Sequence, residues 1–406
     1  MNIFLGIILG LLVLTFLITA HEFGHFIMAR KSGVRVKEFG IGFPPRAICW
    51  VRSKPEKGQK KGKWHKIPKK DWKKEQSSLI FSLNWLPIGG FCAMDGESDD
   101  ETRKGTFGSV SFWKKTRILF GGVAMNWLVA FLILTVLCWT GLPEVLDHQF
   151  TIKSDEHLSA DAAVVVGEVK ENSPAAKAGF QPEDRLVSAD NTTIYTSSDV
   201  IDFNAAHAGE TVTYIVARAD TEEALEVALN PSDNSDGYLL GITMSSPSVT
   251  RRYTWSAPLV AAGLTVQTTA ETFKGLGKLV VDLVTGAARQ VSSDASVREE
   301  GQEQLEDASN SVSGIVGIIG NYFPNLLSAG PTFIALFTAI ISISLACMNV
   351  LPIPALDGGR WFMIFLCRLR HKKLSKEREQ SIVTKSFIVL LVLMAIITIL
   401  DIIKLF

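Results

Sequence analysis

The sequence contains few cysteines, and their spacing matches no common metal or redox motif. None lies between residues 144 and 330, and no CxxC pair occurs anywhere in the chain. A cysteine-based zinc site and a thioredoxin-type redox centre are therefore not expected. The segment from 144 to 330 has no disulfide framework and must be stabilised by its own core. The five cysteines are Cys49, Cys92, Cys138, Cys347 and Cys367.

The chain also lacks a net charge, because its 406 residues include 41 basic and 41 acidic side chains. The balance hides an asymmetry. Arg30 to Arg117 carries 21 Lys and Arg against 9 Asp and Glu, whereas Glu144 to Thr250 carries 5 against 19. Segments of opposite charge suggest two different aqueous faces. The length, the hydrophobic content of 47% and the positive mean hydropathy together exclude a disordered tail protein and indicate a chain too large and too apolar for one ordinary soluble domain.

Long apolar runs are what the sequence has in abundance. Four stretches are long enough to cross a bilayer, which takes about 20 residues with few charges. The first is not preceded by Lys or Arg and is followed by His-Glu, so a cleavable signal peptide is the weaker interpretation. The basic loops predict a cytoplasmic side, and both termini and the acidic segment then lie outside. The stretches are Ile3 to Ala20, Ile118 to Leu142, Thr332 to Leu351 and Phe387 to Ile403.

We predict an α-helical four-span membrane core with a cytoplasm-side β-hairpin region and one small extracytoplasmic α/β domain. The basic stretch from Lys54 to Lys74 is interpreted as a solvated loop beside an anionic leaflet, and nucleic acid is not an expected partner. The expected organisation is a first transmembrane helix (1–30), a cytoplasmic loop with a membrane-associated hairpin (31–117), a second helix (118–142), the external domain (143–250), amphipathic helices and a flexible acidic segment (251–331), a third helix with its terminal motif (332–359), a cytoplasmic basic segment (360–385) and a fourth helix (386–406).

The sequence His21-Glu-Phe-Gly-His25 ends the first apolar stretch. A spacing of four residues puts both imidazoles on one helical face, where they can bind one metal ion, and Glu22 lies next to them. A chance match on an ordinary helix is the alternative. Histidines and a carboxylate are expensive to desolvate at the edge of the hydrocarbon region, which favours the metal site.

A catalytic zinc ion typically has three protein ligands, so a third is needed. The better candidate is Asp357, within Asn349-Val-Leu-Pro-Ile-Pro-Ala-Leu-Asp-Gly-Gly359, because prolines interrupt a helix there and irregular backbone at membrane depth lines buried or watery sites. The alternative is a loop turn just beyond the membrane, in which Asp-Gly-Gly only reverses the chain. From the residues of this motif alone, the loop turn is the stronger interpretation.

Together, the two motifs resemble the paired signatures of the site-2 proteases, which are intramembrane zinc metalloproteases. The likeness extends to Gly122-Val-Ala-Met-Asn126, to the FGIGF and PIGGF sequences that begin at Phe39 and Pro87, and to Asn172-Ser-Pro-Ala-Ala-Lys-Ala-Gly179, which resembles the opening of a PDZ domain. Among the branches of the family, the sequence is most similar to the bacterial regulator-of-sigma-E proteases.

The resemblance implies one zinc ion held by His21, His25 and Asp357, with Glu22 as the general base. It implies a multi-pass protein of the bacterial inner membrane, with its active site near the cytoplasmic side. The expected substrates are single-pass membrane proteins of the anti-sigma-factor type, already trimmed by another protease and cut within or near their spans. Asn349 and Asn126 are candidate partners of the substrate or the tetrahedral intermediate, and hydrogen bonds between helices are the equal alternative.

Gly89 and Gly90 lie in an expected hairpin from Pro87 to Met94, which could pair with an unwound substrate or merely plug the cavity mouth. The PDZ-like domain could bind a newly exposed C-terminus or exclude substrates by bulk. Some positions depart from the family pattern. One PDZ-like domain is expected in place of two, and Glu183 stands where PDZ domains usually have glycine.

Two other functions compete with proteolysis. A catalytically silent membrane scaffold would present the PDZ-like domain to exported partners, but intact Glu22 and both histidines argue against it. A transporter could also place polar residues in its spans. Four spans without inverted halves make that interpretation poor.

Overall fold

The structure is a computed structural model of the whole chain. It describes residues 2–52, 64–68, 79–96, 102–143, 146, 148–158, 164–170, 172–194, 197–218, 221–230, 239–245, 250–292, 294–310, 317–371 and 375–405. Most of the basic stretch from Lys54 to Lys74 lies outside these ranges. The chain divides into two compact units, Thr135–Val260 and the combination of Met1–Leu134 with Ala261–Phe406.

The described residues form ten α-helices and twelve strands. The helices are α1 (Asn2–Ser32), α2 (Phe112–Thr140), α3 (Pro174–Ala178), α4 (Ser197–Ala206), α5 (Ala257–Gln290), α6 (Ala295–Asn310), α7 (Phe323–Ala329), α8 (Pro331–Val350), α9 (Asp357–Leu369) and α10 (Lys376–Leu405). The strands are β1 (Val36–Arg52), β2 (Trp64–Lys66), β3 (Ile80–Met94), β4 (Leu142–Pro143), β5 (His157–Leu158), β6 (Val164–Val169), β7 (Arg185–Ala189), β8 (Thr192–Thr193), β9 (Thr211–Arg218), β10 (Thr221–Ala228), β11 (Ile242–Ser245) and β12 (Thr250–Arg252).

Four helices in the described part of the chain are long and apolar enough to cross a membrane. They correspond to the four predicted stretches and cover Phe4–Ser32, Phe112–Thr140, Pro331–Val350 and Lys376–Ile399. Except for Pro331–Val350, the helices are longer than the apolar runs because polar residues at their ends continue the same backbone hydrogen bonding. α1 ends where Gly33 adopts a positive φ of 87° and Val34 N–H donates to the carbonyl of Ala29, a glycine-dependent helix stop.

The first unit contains a sheet with the strand order β2-β1-β3. Both long strands bend, so that residues 38–41 of β1 pair on one side with residues 80–83 and on the other with residues 90–93 of β3. The expected hairpin from Pro87 to Met94 is therefore wrong in its pairing. Gly42 in β1 and Gly89 in β3 have positive φ values of 76° and 73°, which allow each strand to bend at that residue. The segments of β3 before and after its bend both pair with β1.

The acidic segment also differs from expectation. Residues predicted to be flexible form α6, and Asp294 caps its first turn by accepting a hydrogen bond from the backbone N–H of Ser296. Gly286 of α5 and Gly301 of α6 meet closely, since a Cβ atom on either would lie 3.0 Å from the carbonyl oxygen of the other. The region predicted as several amphipathic helices is the single 34-residue helix α5.

The second unit is built on a six-stranded sheet with the order β10-β9-β7-β6-β11, with β8 beside β7. Its described pairings are antiparallel, and alternate residues face one core. α3 begins at Ser173, whose hydroxyl accepts from Ala176 N–H, and stops at Gly179 with a φ of 90°. This is the small α/β domain that the sequence predicts. Its most buried side chains include Val164, Leu186, Val212, Tyr214, Val216 and Val227.

A buried ion pair fastens a turn of this domain. Arg218 donates to both carboxylate oxygens of Asp184 at 2.7 Å, and the backbone N–H of Gln181 donates to the same carboxylate at 2.8 Å. Burial opposes ionisation, but these donors hold the pKa of Asp184 below its usual value. Glu183, which occupies the position where PDZ domains usually have glycine, has a positive φ of 72° in this turn.

Candidate active site

α1 brings the three polar residues of its HExxH sequence together near its C-terminal end. His21 and His25 lie one turn apart and are buried, and their Nε2 atoms are 3.1 Å from each other. Ligand atoms of His21, Glu22 and His25 all lie within 4.8 Å of one another. The predicted pair of imidazoles on one helical face is what the structure contains.

Asp357 reaches the same point from the other end of the chain. Its Oδ2 atom is 3.0 Å from Nε2 of His21 and 3.1 Å from Nε2 of His25. The carboxylate begins α9, directly after the interruption at Pro352 and Pro354. The loop folds tightly onto the first turn of α9, where a Cβ atom on Gly358 or Gly359 would collide with the carbonyl of Val350 or Ile353. The two glycines therefore set the position of Asp357.

One face of α2 supports both imidazoles. The carbonyl of Ile118 lies 2.8 Å from Nδ1 of His25, and the carboxamide nitrogen of Asn126 lies 3.4 Å from Nδ1 of His21. Between them, a Cβ atom on Gly122 would lie 2.6 Å from the Nε2 atoms of His21 and His25. Positions 118, 122 and 126 are each one turn apart, so they share one side of the helix.

The two helices can come this close because glycines face each other. A Cβ atom on Gly121 would lie 2.8 Å from the carbonyl oxygen of Gly24, and one on Gly24 would collide with the carbonyl of Gly121. Gly24 and Gly121 were not among the predicted site residues. The small-residue pattern itself, a glycine inside HEFGH and a Gly-Gly pair in the second span, was the signal available.

Strand β3 lies along α1 beside the site. The hydroxyl of Thr15 donates to the carbonyl of Pro87, and the backbone N–H of Cys92 hydrogen-bonds to the carboxylate of Glu22. A Cβ atom on Gly90 would lie 3.1 Å from the hydroxyl of Thr19, and one on Gly89 would lie 3.3 Å from Ile18. These two glycines thus allow the backbone of β3 to approach the helix that carries the histidines.

Asn349 is not brought into this group by any hydrogen bond of the described residues. Its carboxamide nitrogen donates to the carbonyl of Leu345, one turn earlier in α8, at 2.9 Å. Asn126, in contrast, contacts His21 directly, and Ser342 of α8 donates to the backbone carbonyl of Asn126 at 2.8 Å. The predicted substrate-binding roles of Asn349, Asn126, Gly89 and Gly90 stay predictions.

The donor set suits a zinc ion. Two imidazole nitrogens and one carboxylate oxygen form a triangle with edges of 3.0 to 3.1 Å. Ligands at the usual distance from a tetrahedral zinc ion lie roughly 3.3 Å apart, and catalytic sites typically use three protein ligands of these kinds. Like-charged or lone-pair-bearing atoms this close repel one another unless a proton or a cation lies between them. The triangle therefore has the size and chemistry of a metal site.

The spans and this donor set together define a multi-pass membrane metallopeptidase. Comparison with known proteins gives the family. The model of peptidase family M50 matches residues 9–56 and 63–394. The chain belongs to this family and is a zinc metalloendopeptidase of the site-2 protease type.

Similar proteins have been described in several bacteria. A protein of Clostridium acetobutylicum is 27% identical over 402 residues, which are 98% of each chain. A protein of Agrobacterium fabrum is 26% identical over 391 residues, which are 91% of this chain and 88% of the relative. Both are named "Putative zinc metalloprotease". A solved PDZ domain of an SdrC-like protein from Listeria monocytogenes is 26% identical, with a TM-score of 0.20, and covers 22% of this chain and 92% of its own.

Proposed function

We propose that this protease hydrolyses a peptide bond within or near the membrane-spanning segment of single-pass membrane proteins. The observation that carries the proposal is the triangle of His21, His25 and Asp357 donor atoms, with edges of 3.0 to 3.1 Å, beside Glu22 on an apolar helix. The histidines belong to a span of 29 residues, so substrates that lie in the bilayer reach them most directly.

In this proposal, His21, His25 and Asp357 hold one zinc ion per chain. When bound, the ion supplies Lewis acidity that makes a water molecule more acidic and polarises the scissile carbonyl. Glu22 accepts the proton from the attacking water through its carboxylate and returns it to the nitrogen of the leaving amine. The carboxylate is suited to this exchange because it lies next to the donor triangle and is held by Cys92 N–H.

A peptide bond in a helix is shielded by its own hydrogen bonds, so the substrate must unwind before it is cut. β3 offers a partner for the unwound segment. Residues 90–93 of β3 pair with β1 along one edge, and Cys92 N–H on the other edge reaches Glu22. A substrate strand that adds to this second edge runs past the general base, as in recognition by strand addition. Pairing with the backbone demands no particular side chains in the substrate.

The excess of basic residues between Arg30 and Arg117 supports a cytoplasmic position for the active-site end of α1, and the acidic Glu144 to Thr250 segment supports an external position for the small domain. The resemblance to the regulator-of-sigma-E branch supports substrates of the anti-sigma-factor type, pre-trimmed by another protease, in the bacterial inner membrane. The PDZ-like domain then acts on the external part of the substrate. It either binds the newly exposed C-terminus or excludes substrates whose external domain has not been removed.

The first experiment compares wild type with Glu22→Gln in detergent, using a tagged single-span test substrate and metal analysis of both samples. We expect about one zinc ion per chain in both proteins and cleavage by wild type alone. The matched control is Glu303→Gln, the same change at an exposed position of α6, which should cut like wild type. If wild type holds no metal and cuts no better than Glu22→Gln, the proposal is wrong.

A second experiment separates the two roles of the small domain. Test substrates carry either different C-terminal residues on an external stub of constant length or a constant C-terminus on stubs of increasing size. Recognition of a C-terminus predicts that the terminal residue changes the cleavage rate. Exclusion by bulk predicts that only size matters.

A further inference from the structure

The buried carboxamide of Asn126 has one end without a partner. Asn126 is completely buried in α2, and its nitrogen lies 3.4 Å from Nδ1 of His21. Its Oδ1 atom has no hydrogen-bond partner among the residues that the structure describes. A buried polar atom of this kind calls for an explanation, because it has given up its hydrogen bonds to water.

The state of His21 supplies a partner for this oxygen. Nε2 of His21 points at the other two donors of the triangle, at distances of 3.1 and 3.0 Å. An imidazole that binds a metal through Nε2 carries its proton on Nδ1, and this N–H needs an acceptor. The carboxamide nitrogen of Asn126 is itself a donor, so as oriented it faces another donor. Rotation of the carboxamide by 180° places Oδ1 against Nδ1, and the two ends have nearly the same shape.

We propose that the carboxamide oxygen of Asn126 accepts the Nδ1 proton of His21 and thereby orients this zinc ligand. The inference rests on the proposed function, since it concerns the same metal site. Asn126 is then a positioning residue that acts on the metal through His21. This differs from a role in which its N–H group contacts the substrate or the tetrahedral intermediate.

His25 has the equivalent support from the same helix. Its Nδ1 atom lies 2.8 Å from the backbone carbonyl of Ile118, which can only accept a hydrogen bond. Ile118 and Asn126 lie two turns apart on one side of α2, on either side of Gly122. Both imidazoles thus meet an oxygen acceptor on one helix face. The acceptor of His25 is main chain, so only that of His21 can be changed by substitution.

Ser342 supplies a control for the position of Asn126. Its hydroxyl donates to the backbone carbonyl of Asn126 at 2.8 Å and so connects α8 to α2 at this residue. Ser342→Ala removes that connection and leaves the carboxamide intact. A loss caused by loosened helix packing therefore appears in Ser342→Ala, whereas a loss of the acceptor does not.

The test measures zinc affinity by competition with a chelator in full-length protein, for wild type, Asn126→Leu, Asn126→Asp and Ser342→Ala. Removing a hydrogen-bond partner of a metal-bound histidine typically weakens metal binding about 10- to 100-fold. We expect this loss in Asn126→Leu, which has no acceptor. Asn126→Asp keeps an acceptor oxygen and should bind zinc within about threefold of wild type, as in carboxylate–histidine–zinc arrangements.

Wild-type affinity in Asn126→Leu overturns the inference, and so does an equal loss in Asn126→Asp and Asn126→Leu. If Asn126→Leu does not fold, as judged by gel filtration and thermal unfolding of the metal-free protein, Asn126→Asp becomes the variant that tests the inference. Nitrogen NMR of zinc-loaded wild type should then detect a proton on Nδ1 of His21, and the Nδ1 resonance must shift in Asn126→Asp. An unchanged resonance overturns the inference. If wild type itself fails to bind zinc or to cut, the proposed function fails, whereas wild-type activity with unchanged affinity in Asn126→Leu refutes only this inference.

Discussion

Gly122 of α2 faces Nε2 of His25 so closely that a Cβ atom on the glycine would lie 2.6 Å away. The methyl group of Gly122→Ala cannot be accommodated without moving an imidazole or the helix that supports it. We expect Gly122→Ala to weaken zinc binding at least about tenfold, as loss of ligand orientation does. Competition with a chelator measures the change.

The control for that substitution is Gly275→Ala in α5. A Cβ atom there meets nothing within 4 Å among the described residues, so no clash is expected. Alanine favours the helix by about 0.8–1.0 kcal/mol over glycine, and this variant should bind zinc normally. A normal affinity in Gly122→Ala as well would contradict the close packing of α2 against the histidines.

Gly90→Ala tests the strand beside the site. The added Cβ atom would lie 2.9 Å from the carbonyl of Gly40 and 3.1 Å from the hydroxyl of Thr19, so β3 must shift away from α1. We expect cleavage of a single-span test substrate to fall at least about tenfold, because small displacements of positioning groups are costly in catalysis. Zinc content should not change. If β3 only plugs the cavity mouth, the rate of cleavage should stay the same or rise.

Glu183 stands in a turn with a φ of 72°. A positive φ costs a side chain about 1–2 kcal/mol and costs β-branched residues more, whereas glycine adopts it freely. We expect Glu183→Gly to leave the small domain at least as stable as wild type, and Glu183→Val to destabilise it by more than about 1–2 kcal/mol relative to Glu183→Gly. Native-state hydrogen exchange of β6 and β7 in the full-length protein measures the difference. Equal stability of both variants would show that the turn does not impose this φ.

The ion pair of Asp184 and Arg218 makes the small domain sensitive to acid. Because the pKa of Asp184 is lowered in the folded domain, its contribution is complete above the ordinary aspartate pKa of about 4. The contribution is lost as the pH falls from there towards the lowered pKa. We expect Asp184→Asn to be less stable than wild type at pH 7 and to lose less stability between about pH 4 and 2. Hydrogen exchange of β7 and β9, corrected for intrinsic rates, follows both proteins.

Glu223→Gln is the control for the acid response. Glu223 also binds Arg218, at 2.8 Å, but its side chain is 45% exposed, so the pair is screened by water. Its acid response should match that of wild type. If Glu223→Gln reduces the loss of stability in acid as much as Asp184→Asn does, the acid sensitivity does not come from the Asp184–Arg218 pair in particular.

The residues closest to the candidate metal site were the easiest to predict. HExxH has a fixed geometry on a helix, so His21, Glu22 and His25 follow from spacing alone. Asp357 needed the resemblance, because an Asp-Gly-Gly turn has an ordinary explanation and 336 positions separate it from His21. The supporting carbonyl of Ile118 could not be predicted from the sequence, since every residue has a backbone carbonyl and only the packing of two helices selects one.

Pairing and local order were harder to predict than composition suggested. The turn residues from Pro87 to Gly90 predicted that the chain segments on either side of them pair with each other. Both segments instead pair with β1, and residues 38–41 of β1 precede their partners at 80–83 by about 40 positions. Strand pairing between distant segments is not encoded in local turn chemistry. The acidic stretch looked flexible because it is polar, but α6 has a capping aspartate and helix-forming residues, and it packs closely on α5 at Gly301.

The separation of His21 and Asp357 also has a consequence for biosynthesis. Nearly nine tenths of the chain must be translated before the carboxylate exists, and it lies beyond the third span, Pro331–Val350. The two histidines, in contrast, enter the membrane with the first span. A nascent chain therefore has no complete donor triangle until the first three spans have been synthesised.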